Sequence, residues 1–363
     1  MRVNTDELKT ELQWASRIIC KKSTMPILAN VLLEAEPDRL RLTATDLEHA
    51  LITEIKAHNK EPWTVTIPAK MALKYLSKVE EGQIELSTAD NKLHFAHGDG
   101  AGADIFGMSK ESYPELPQIS LKGKLSGLEA AIPRTALAVS SEESRFSLNG
   151  ALLEASNGDS RFVSTDGHRM SLVPVTYHGE KTTALVRMRA LIELAHLKTN
   201  GVDVGWNDDH LLFQYGNRKI ISRKLTGNFP DYHRVMPVDF PHAILVGADA
   251  LYKLVDRVKV FADERSHAIH LEIKDGRLNV KAEVCETGVA SGHVPLLGGA
   301  PDPAVVGLNA DYLLDFLALT KGQTVGFCYP DMETRKDGTS GIVKGMQFLA
   351  HDGWSYLVMP MRV

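Results

Sequence analysis

The chain reads as an α+β fold in three similar units, and three observations lead to that reading. The first is an internal repeat. Met25 to Leu51 and Arg145 to Leu172 each hold an Asn, an apolar run ending in Leu-Glu-Ala, a turn, and a strand ending in Thr-Asp. The pairs begin at Thr45 and Thr165, so the period is 165 − 45 = 120 residues. The second is a weaker third copy over Ile269 to Ala290, where Lys274-Asp275-Gly276 suits a hairpin turn between alternating strands. The third is a helical segment that recurs at Pro68 to Leu76, Val186 to Leu194 and Asn309 to Leu317, at offsets of 186 − 68 = 118 and 309 − 186 = 123.

Each unit opens with another helical segment: Asp6 to Cys20, Leu128 to Val139 and Ala248 to Phe261. The Pro-containing stretches SYPELPQ and MPVDFPH put the boundaries near Leu121 and Phe240, giving units 1–121, 122–240 and 241–363. In the first helix Leu8, Leu12, Ala15, Ile18 and Ile19 fall at core spacing, while Lys9, Gln13, Arg17 and Lys21 fall four apart on another face. Asp6 and Glu7 occupy the first turn, where the helix dipole favours negative charge. The second helix repeats the design. Pro68 suits its first position, Ala69, Ala72, Leu73, Leu76 and Val79 form its core side, and Lys70, Lys74 and Lys78 form a row. Lys253 and Arg257 recur on the fifth helix, and Arg187 and Arg189 open the fourth. Any amphipathic helix has a solvated face, so one such row means little; repeated rows in an acidic chain point to a phosphate-facing surface. Two features break the pattern. Asp311 and Asp315 stand where Lys70 and Lys74 would be, and Pro133 should kink the third helix or start it late.

Length and composition agree with several domains. The 363 residues exceed what one hydrophobic core serves, and 44% hydrophobic with 24% charged content is ordinary for a globular protein. The net charge of −5 argues against nucleic-acid binding unless the positive charge is concentrated on one surface. The opening MRVNTDELKT lacks a secretory pattern, and no apolar run approaches the length needed to span a bilayer. Cys20, Cys285 and Cys328 are scattered and odd in number, as expected of reduced cytoplasmic thiols, and no metal or cofactor motif is expected.

A catalytic role would centre on Thr165-Asp-Gly-His-Arg, with His168 as base and Asp166 as its orienting carboxylate. The equivalent Thr45-Asp-Leu-Glu-His keeps the turn and loses the base. G-x-S-x-G and HExxH are absent, and the glycines of GDGAGAD and LLGGAP precede no GK[ST]. An enzyme is therefore the runner-up. A single-strand or RNA-binding module ranks lower, because the basic rows lack interleaved aromatics that would stack bases.

Ser144-Arg-Phe-Ser-Leu-Asn-Gly, Ser164-Thr-Asp-Gly-His-Arg-Met, Gly227-Asn-Phe-Pro-Asp-Tyr-His-Arg-Val-Met-Pro and the C-terminal Tyr356-Leu-Val-Met-Pro-Met-Arg-Val resemble the beta sliding clamp family of bacterial DNA polymerase III. Motif order and length agree from end to end. The resemblance implies three DNA-clamp domains, each with two helices on antiparallel sheets, and a head-to-tail homodimer forming a six-domain ring. It implies a non-catalytic cytoplasmic processivity factor that encircles double-stranded DNA irrespective of base sequence. Its partners would be the polymerase III catalytic subunit, the clamp loader, and other polymerases and repair proteins carrying a clamp-binding peptide. That peptide would enter a pocket with a floor of Leu148, Met170, Pro230, Val235, Leu357, Val358 and Met359, beside Pro360 and Met361. The rim would carry Thr165, Gly167, His168, Arg169, Arg234, Asn309, Tyr312 and Arg362. Lys22 and Phe146 match DNA-contact positions, joining Lys9, Arg17, Lys21, Lys70, Lys74, Lys78, Arg187, Arg189, Lys253 and Arg257. Ser266 departs from a larger pocket residue, and Glu142 places an acid on the DNA side.

Overall fold

The computed structural model describes residues 1–19, 24–59, 61–80, 82–98, 100–142, 144–236, 240–284, 288–299, 302–334, 340–342 and 344–361. The chain divides into two compact units, one of Met1–Leu125 with Ile192–Lys224 and one of Ser126–Leu191 with Leu225–Val363. Among the described residues the α-helices are α1 (Thr5–Ala15), α2 (Ala69–Leu76), α3 (Leu128–Ala136), α4 (Met188–His196), α5 (Ala248–Val258) and α6 (Ala310–Ala318). They are shorter than the periodicity suggests, because α1 and α5 each tighten into a 3-10 turn, Ser16–Ile18 and Lys259–Phe261.

The first unit joins strands of the first two repeats. Its sheet runs Leu121–Ser126, Gly201–Trp206, His210–Tyr215, Arg218–Arg223, His49–Lys56, Arg39–Thr45, Asn30–Ala35 and Trp63–Pro68. The join is an antiparallel pairing of Arg218–Arg223 with His49–Lys56, in which Ile220 faces Leu51 and Ile221 faces Ala50. A charged group is closed inside it. Glu11 of α1 is 7% exposed and accepts from Arg218 Nε and Nη2 at 2.9 and 2.8 Å and from Thr53 Oγ1 at 2.6 Å. The Arg218 guanidinium also lies over the Trp14 ring at 5.1 Å. Removing such an arginine would strand a buried carboxylate, at about 3–5 kcal/mol.

The second unit repeats the arrangement with the second and third repeats. Its sheet runs His242–Gly247, Thr324–Tyr329, Met346–Leu349, Ser355–Val358 and Arg169–Gly179, then through Ser160–Thr165 and Gly150–Ala155 to Thr182–Arg187. Here Ser355–Val358 pairs antiparallel with Arg169–Gly179, with Leu357 facing Met170 and Tyr356 facing Ser171. The arginine and tryptophan change sides: Arg134 of α3 reaches Asp352 at 2.6 Å and lies 4.7 Å over the Trp354 ring, whose Nε1 donates to Ser171. Phe316 stacks on Tyr356 and packs at a tilt against Phe348 and Trp354 behind the join.

Two further sheets complete the repeats. In the first unit the order is Arg2–Asn4, Gln83–Ala89, Lys92–Ala96, Gly102–Phe106; in the second it is Gly288–Pro295, Arg277–Val284, Ala268–Lys274, Ala304–Asn309. Gly102–Phe106 and Gly288–Pro295 are thus sheet edges. The helices cover the sheets as their apolar spacing requires. Leu8, Leu12, Ala15, Ile18, Ala69, Ala72 and Leu76 are buried, whereas Ile19, Leu73 and Val79 are half-buried. Asn4 caps α1 by accepting the N–H of Asp6 and Glu7 at 3.0 and 2.9 Å.

Two expectations are corrected. Pro68 is the residue before α2, with extended backbone, rather than its first helical residue. Pro133 neither delays nor ends α3, which starts at Leu128 after Gly127 in the left-handed region (φ 90°) and continues to Ala136.

Candidate functional site

The Thr165–Arg169 turn is built by its own polar side chains. Asp166 Oδ1 accepts the N–H of His168 at 2.9 Å and of Arg169 at 3.0 Å. Thr165 Oγ1 donates to the Arg169 carbonyl at 2.8 Å and accepts from the Gly167 N–H at 3.1 Å. Gly167 takes φ 89°, which glycine adopts without strain, and a Cβ there would meet only Arg145 Nη1, at 2.8 Å, the mobile end of a long side chain. The first repeat builds the same turn with Asp46 and Thr45, at Leu47 φ 75°. A shared turn explains why the Thr-Asp pair repeats while its histidine does not.

That chemistry also answers the catalytic reading. The Asp166 carboxylate serves backbone N–H groups and the Arg169 guanidinium (3.0 Å), and its bond to His168 is to the main chain. Asp166 does not orient the imidazole as a base.

Arg169 ties the turn to the third repeat. Its Nη1 donates to Asp315 Oδ2 at 2.6 Å and to the Tyr356 hydroxyl at 3.2 Å, and its guanidinium lies 4.3 Å over the Tyr312 ring. Burial works against its charge, but Tyr356, Asp315 and Asp166 outweigh that and hold its pKa above the usual arginine value. Burial in turn raises the pKa of Tyr356 and Tyr312. Asp315, the exception to the lysine row, is thus half of a tertiary ion pair. Asp311 is likewise engaged, with Lys259 and with His267 Nδ1 at 2.8 Å.

Around this network several expected pocket residues meet. Arg169 faces Val358 and Met170 faces Leu357 across paired strands, and the Met359 N–H donates to the His168 carbonyl at 2.9 Å. Met170 and Leu357 share a buried cluster with Val163, Leu172 and Tyr232, against which Leu152, Phe229, Met236 and Phe240 pack. The Met361 N–H reaches the Gly307 carbonyl at 2.8 Å. Asn309 caps α6, accepting from Asp311 and Tyr312 N–H, and donates through Nδ2 to the Ser266 carbonyl at 3.1 Å. Val235 (55%) and Met359 (40%) leave apolar surface open, and His168, Pro230 and Arg234 are exposed, whereas Leu148 and Val358 are buried. Pro360 is half-buried, and Arg362 lies outside the described residues. Sequence reading missed Tyr232, Phe229, Met236 and Tyr356 as support. The signal available was their aromatic and apolar spacing within Phe229-Pro-Asp-Tyr and the final strand.

The basic residues differ in exposure and in the partners they hold. Lys70, Lys74, Lys78, Lys253 and Arg257 are exposed, and Lys9, Arg187 and Arg189 are half-exposed. Arg17 is committed: Nε donates at 2.7 Å to Glu193 Oε2, a side chain 1% exposed, and Nη2 contacts His196. Its charge balances a buried carboxylate. Phe146 is 69% exposed, and Glu142 forms an ion pair with Arg145 at 2.9 Å. Lys21 and Lys22 lie outside the described residues, as do Cys20 and Cys285; burial raises the pKa of the Cys328 thiol. Among the described residues no cluster of histidine, cysteine or carboxylate side chains could hold a metal ion, and no helix is long and apolar enough to cross a membrane.

Comparison with known proteins gives a consistent result. Residues 1–117, 124–231 and 233–340 match the N-terminal, central and C-terminal domains of the DNA polymerase III beta subunit. The beta sliding clamp of Caulobacter vibrioides is 30% identical over 373 residues, covering 95% of both chains, and that of Pseudomonas putida is 28% identical over 376, covering 99% of both. A DNA polymerase sliding clamp structure from Pseudomonas aeruginosa aligns with a TM-score of 0.88 at 26% identity, over 100% of this chain and 99% of that one. A sliding clamp from the same organism, solved bound to griselimycin, aligns at 0.89 with 25% identity over the same shares.

Proposed function

The chain belongs to the DNA polymerase III beta subunit family, and from that premise we propose how it works as a sliding clamp. It is the processivity subunit, not the polymerase: it encircles duplex DNA and tethers its partners through a hydrophobic pocket. The observation that carries the reading is that one junction is used twice within the chain and leaves one matching pair of edges over. Arg218–Arg223 closes on His49–Lys56, and Ser355–Val358 closes on Arg169–Gly179. The corresponding strand of the first repeat is Gly102–Phe106, and the corresponding acceptor in the third is Gly288–Pro295. Two copies pairing these edges head to tail form a closed ring, since each copy contributes one edge of each kind.

The register follows from the internal junctions. Lys92 pairs with Phe106 as His210 pairs with Arg223, and Val280 pairs with Gly292 as Leu42 pairs with Thr53. Transferring the pairing of Ile220 with Leu51 sets Ala103 opposite Ala290 of a second copy, and Gly102 opposite Ser291. Small side chains there let the edges approach, and exposed Phe106 (68%) and Val289 (52%) gain cover.

In this reading Lys9, Lys70, Lys74, Lys253 and Arg257 face the DNA, with Lys78, Arg187, Arg189 and Phe146 beside them. Their attraction is independent of base sequence and screened by salt, which suits a ring that must slide. The link itself is topological and needs no tight grip. Thr165 to Met170, Val235 and Leu357 to Met361 receive an extended peptide with large apolar anchors from the polymerase, the clamp loader or repair proteins. Arg169 holds the turn rather than reaching out. The protein acts in the cytoplasm, beside the replicating chromosome. Mass in solution and electron microscopy test the assembly: a particle of twice the chain mass with a central hole is expected, and a monomer without one would refute it.

A further inference from the structure

A groove in the first unit is the counterpart of one that the chain fills for itself in the second. Tyr113-Pro-Glu-Leu116 corresponds to Phe229-Pro-Asp-Tyr232, each an aromatic, a proline, an acid and an apolar residue following the sheet of its unit. Leu116 packs on Ala50, Leu212 and Ile221, while Tyr232 packs on Met170, Leu172 and Leu357. These floors are equivalent by strand register, because Ala50 faces Ile221 as Met170 faces Leu357. The difference is the anchor. Tyr232 spans its groove and donates its hydroxyl to Glu154 Oε2 at 2.7 Å, with Arg161 at 3.5 Å from the same oxygen. Leu116 has no ring and no hydroxyl.

Beside Leu116 the first unit has a cavity of about 720 Å³ lined by Leu32, Glu34, Arg41, Thr43, Ile52 and Ile221, with Tyr113, the counterpart of Phe229, in its wall and donating to the Thr43 carbonyl at 2.9 Å. Five of these stand 120 positions before Leu152, Glu154, Arg161, Val163 and Leu172, which surround the Tyr232 groove. Among the described residues Glu34, the counterpart of Glu154, accepts from Lys110 Nζ at 2.8 Å, from a lysine side chain 55% exposed. With the lysine more than half exposed the pair is worth at most about 1 kcal/mol, and the carboxylate keeps lone pairs for a second donor. Arg41 is held by Glu54 at 3.0 Å and Lys110 by Glu34 at 2.8 Å, so the groove selects its occupant by ring and hydroxyl rather than by net charge.

We propose that this groove docks an extended segment of a partner protein that presents a tyrosine. The ring is held between Leu32, Ile52 and Ile221 and its hydroxyl donates to Glu34. The proposal stands apart from the clamp reading, since it rests on the two grooves alone.

The probe is a fluorescein-labelled peptide of the chain's own segment, Asn-Phe-Pro-Asp-Tyr-His-Arg-Val, titrated against the full-length protein by anisotropy. Saturable binding is expected, weakened about thirtyfold when the peptide tyrosine becomes alanine, as for a central anchor. Leu116→Tyr fills the groove and should weaken binding at least about tenfold, whereas deleting residues 359–363 should change it less than about twofold. If Leu116→Tyr fails to fold, Ile52→Lys makes the same test from the opposite wall. A benzoylphenylalanine in place of the tyrosine should crosslink within 32–52 or 212–221. No saturation by about 1 mM, crosslinking instead to 165–172 or 355–361, or loss of binding only on the C-terminal deletion would each overturn the proposal.

Discussion

Replacing Arg169 by alanine is expected to loosen the pocket and to destabilise the second unit by about 3 kcal/mol. The figure follows from its contacts. The bond to Asp166, whose side chain is 17% exposed, is a charge-assisted hydrogen bond worth about 1.5–3 kcal/mol. Asp315 is 42% exposed, so solvent screens that partner and its share is about 0.5–1 kcal/mol. The guanidinium over Tyr312 contributes about 0.5–2 kcal/mol more. Asp166 keeps its two backbone donors in the variant, which limits the loss. Urea unfolding followed by tryptophan fluorescence reads the change, since Trp354 lies in the same core, and anisotropy with a clamp-binding peptide reads the pocket. Peptide affinity should fall about tenfold as the turn loses its anchor. Arg169→Lys keeps the charge but not the planar fork that meets Asp166 and Asp315 together, and should behave closer to alanine than to arginine. An unchanged urea midpoint with unchanged affinity, or full rescue by lysine, would refute the reasoning.

The edge register is tested by charge exchange. Ala290→Glu should weaken the dimer, and Ala103→Lys in the same chain should restore it, as read by sedimentation velocity; rescue only from a different position would shift the register. Lys70→Glu with Lys74→Glu should lower the affinity for duplex DNA and flatten its logarithmic salt dependence by about 0.9 for each phosphate no longer neutralised, measured by filter binding across salt concentrations. Asp352 supplies a pH dependence. Burial raises its pKa, but Arg134 outweighs that and holds the folded value below the usual one. Its stabilisation is therefore complete above the unfolded pKa of about 3.9 and is lost as the pH falls through the folded value. Asp352→Asn should be less stable than the parent near neutrality and converge with it as the pH falls through the folded value, as followed by thermal unfolding.

Local pattern was legible wherever one residue's role depends on its near neighbours. The Thr-Asp turns repeat because Asp46 and Asp166 each satisfy backbone donors two and three residues on. The apolar faces of α1 and α2 follow from helical spacing, with Leu8, Leu12, Ala72 and Leu76 buried. Roles decided by distant residues were not legible. Arg17 looked like one of a DNA-facing row, yet its partner is Glu193, 176 positions away, and Asp315 looked like a flaw in a basic row until Arg169 met it from another repeat. The strand Ser355–Val358 shows why truncation must be placed with care. Leu357 and Val358 are 2% and 1% exposed and pair on both sides, so only a cut after Val358 spares the sheet.

The central claim is that this chain holds DNA by enclosure rather than by adhesion. Its most direct measurement is the lifetime of the loaded protein on a nicked circular plasmid, before and after one restriction cut, at a salt concentration that screens the lysines. Retention on the circle with rapid loss after linearisation is the expected result. Equal lifetimes on the two forms would contradict it.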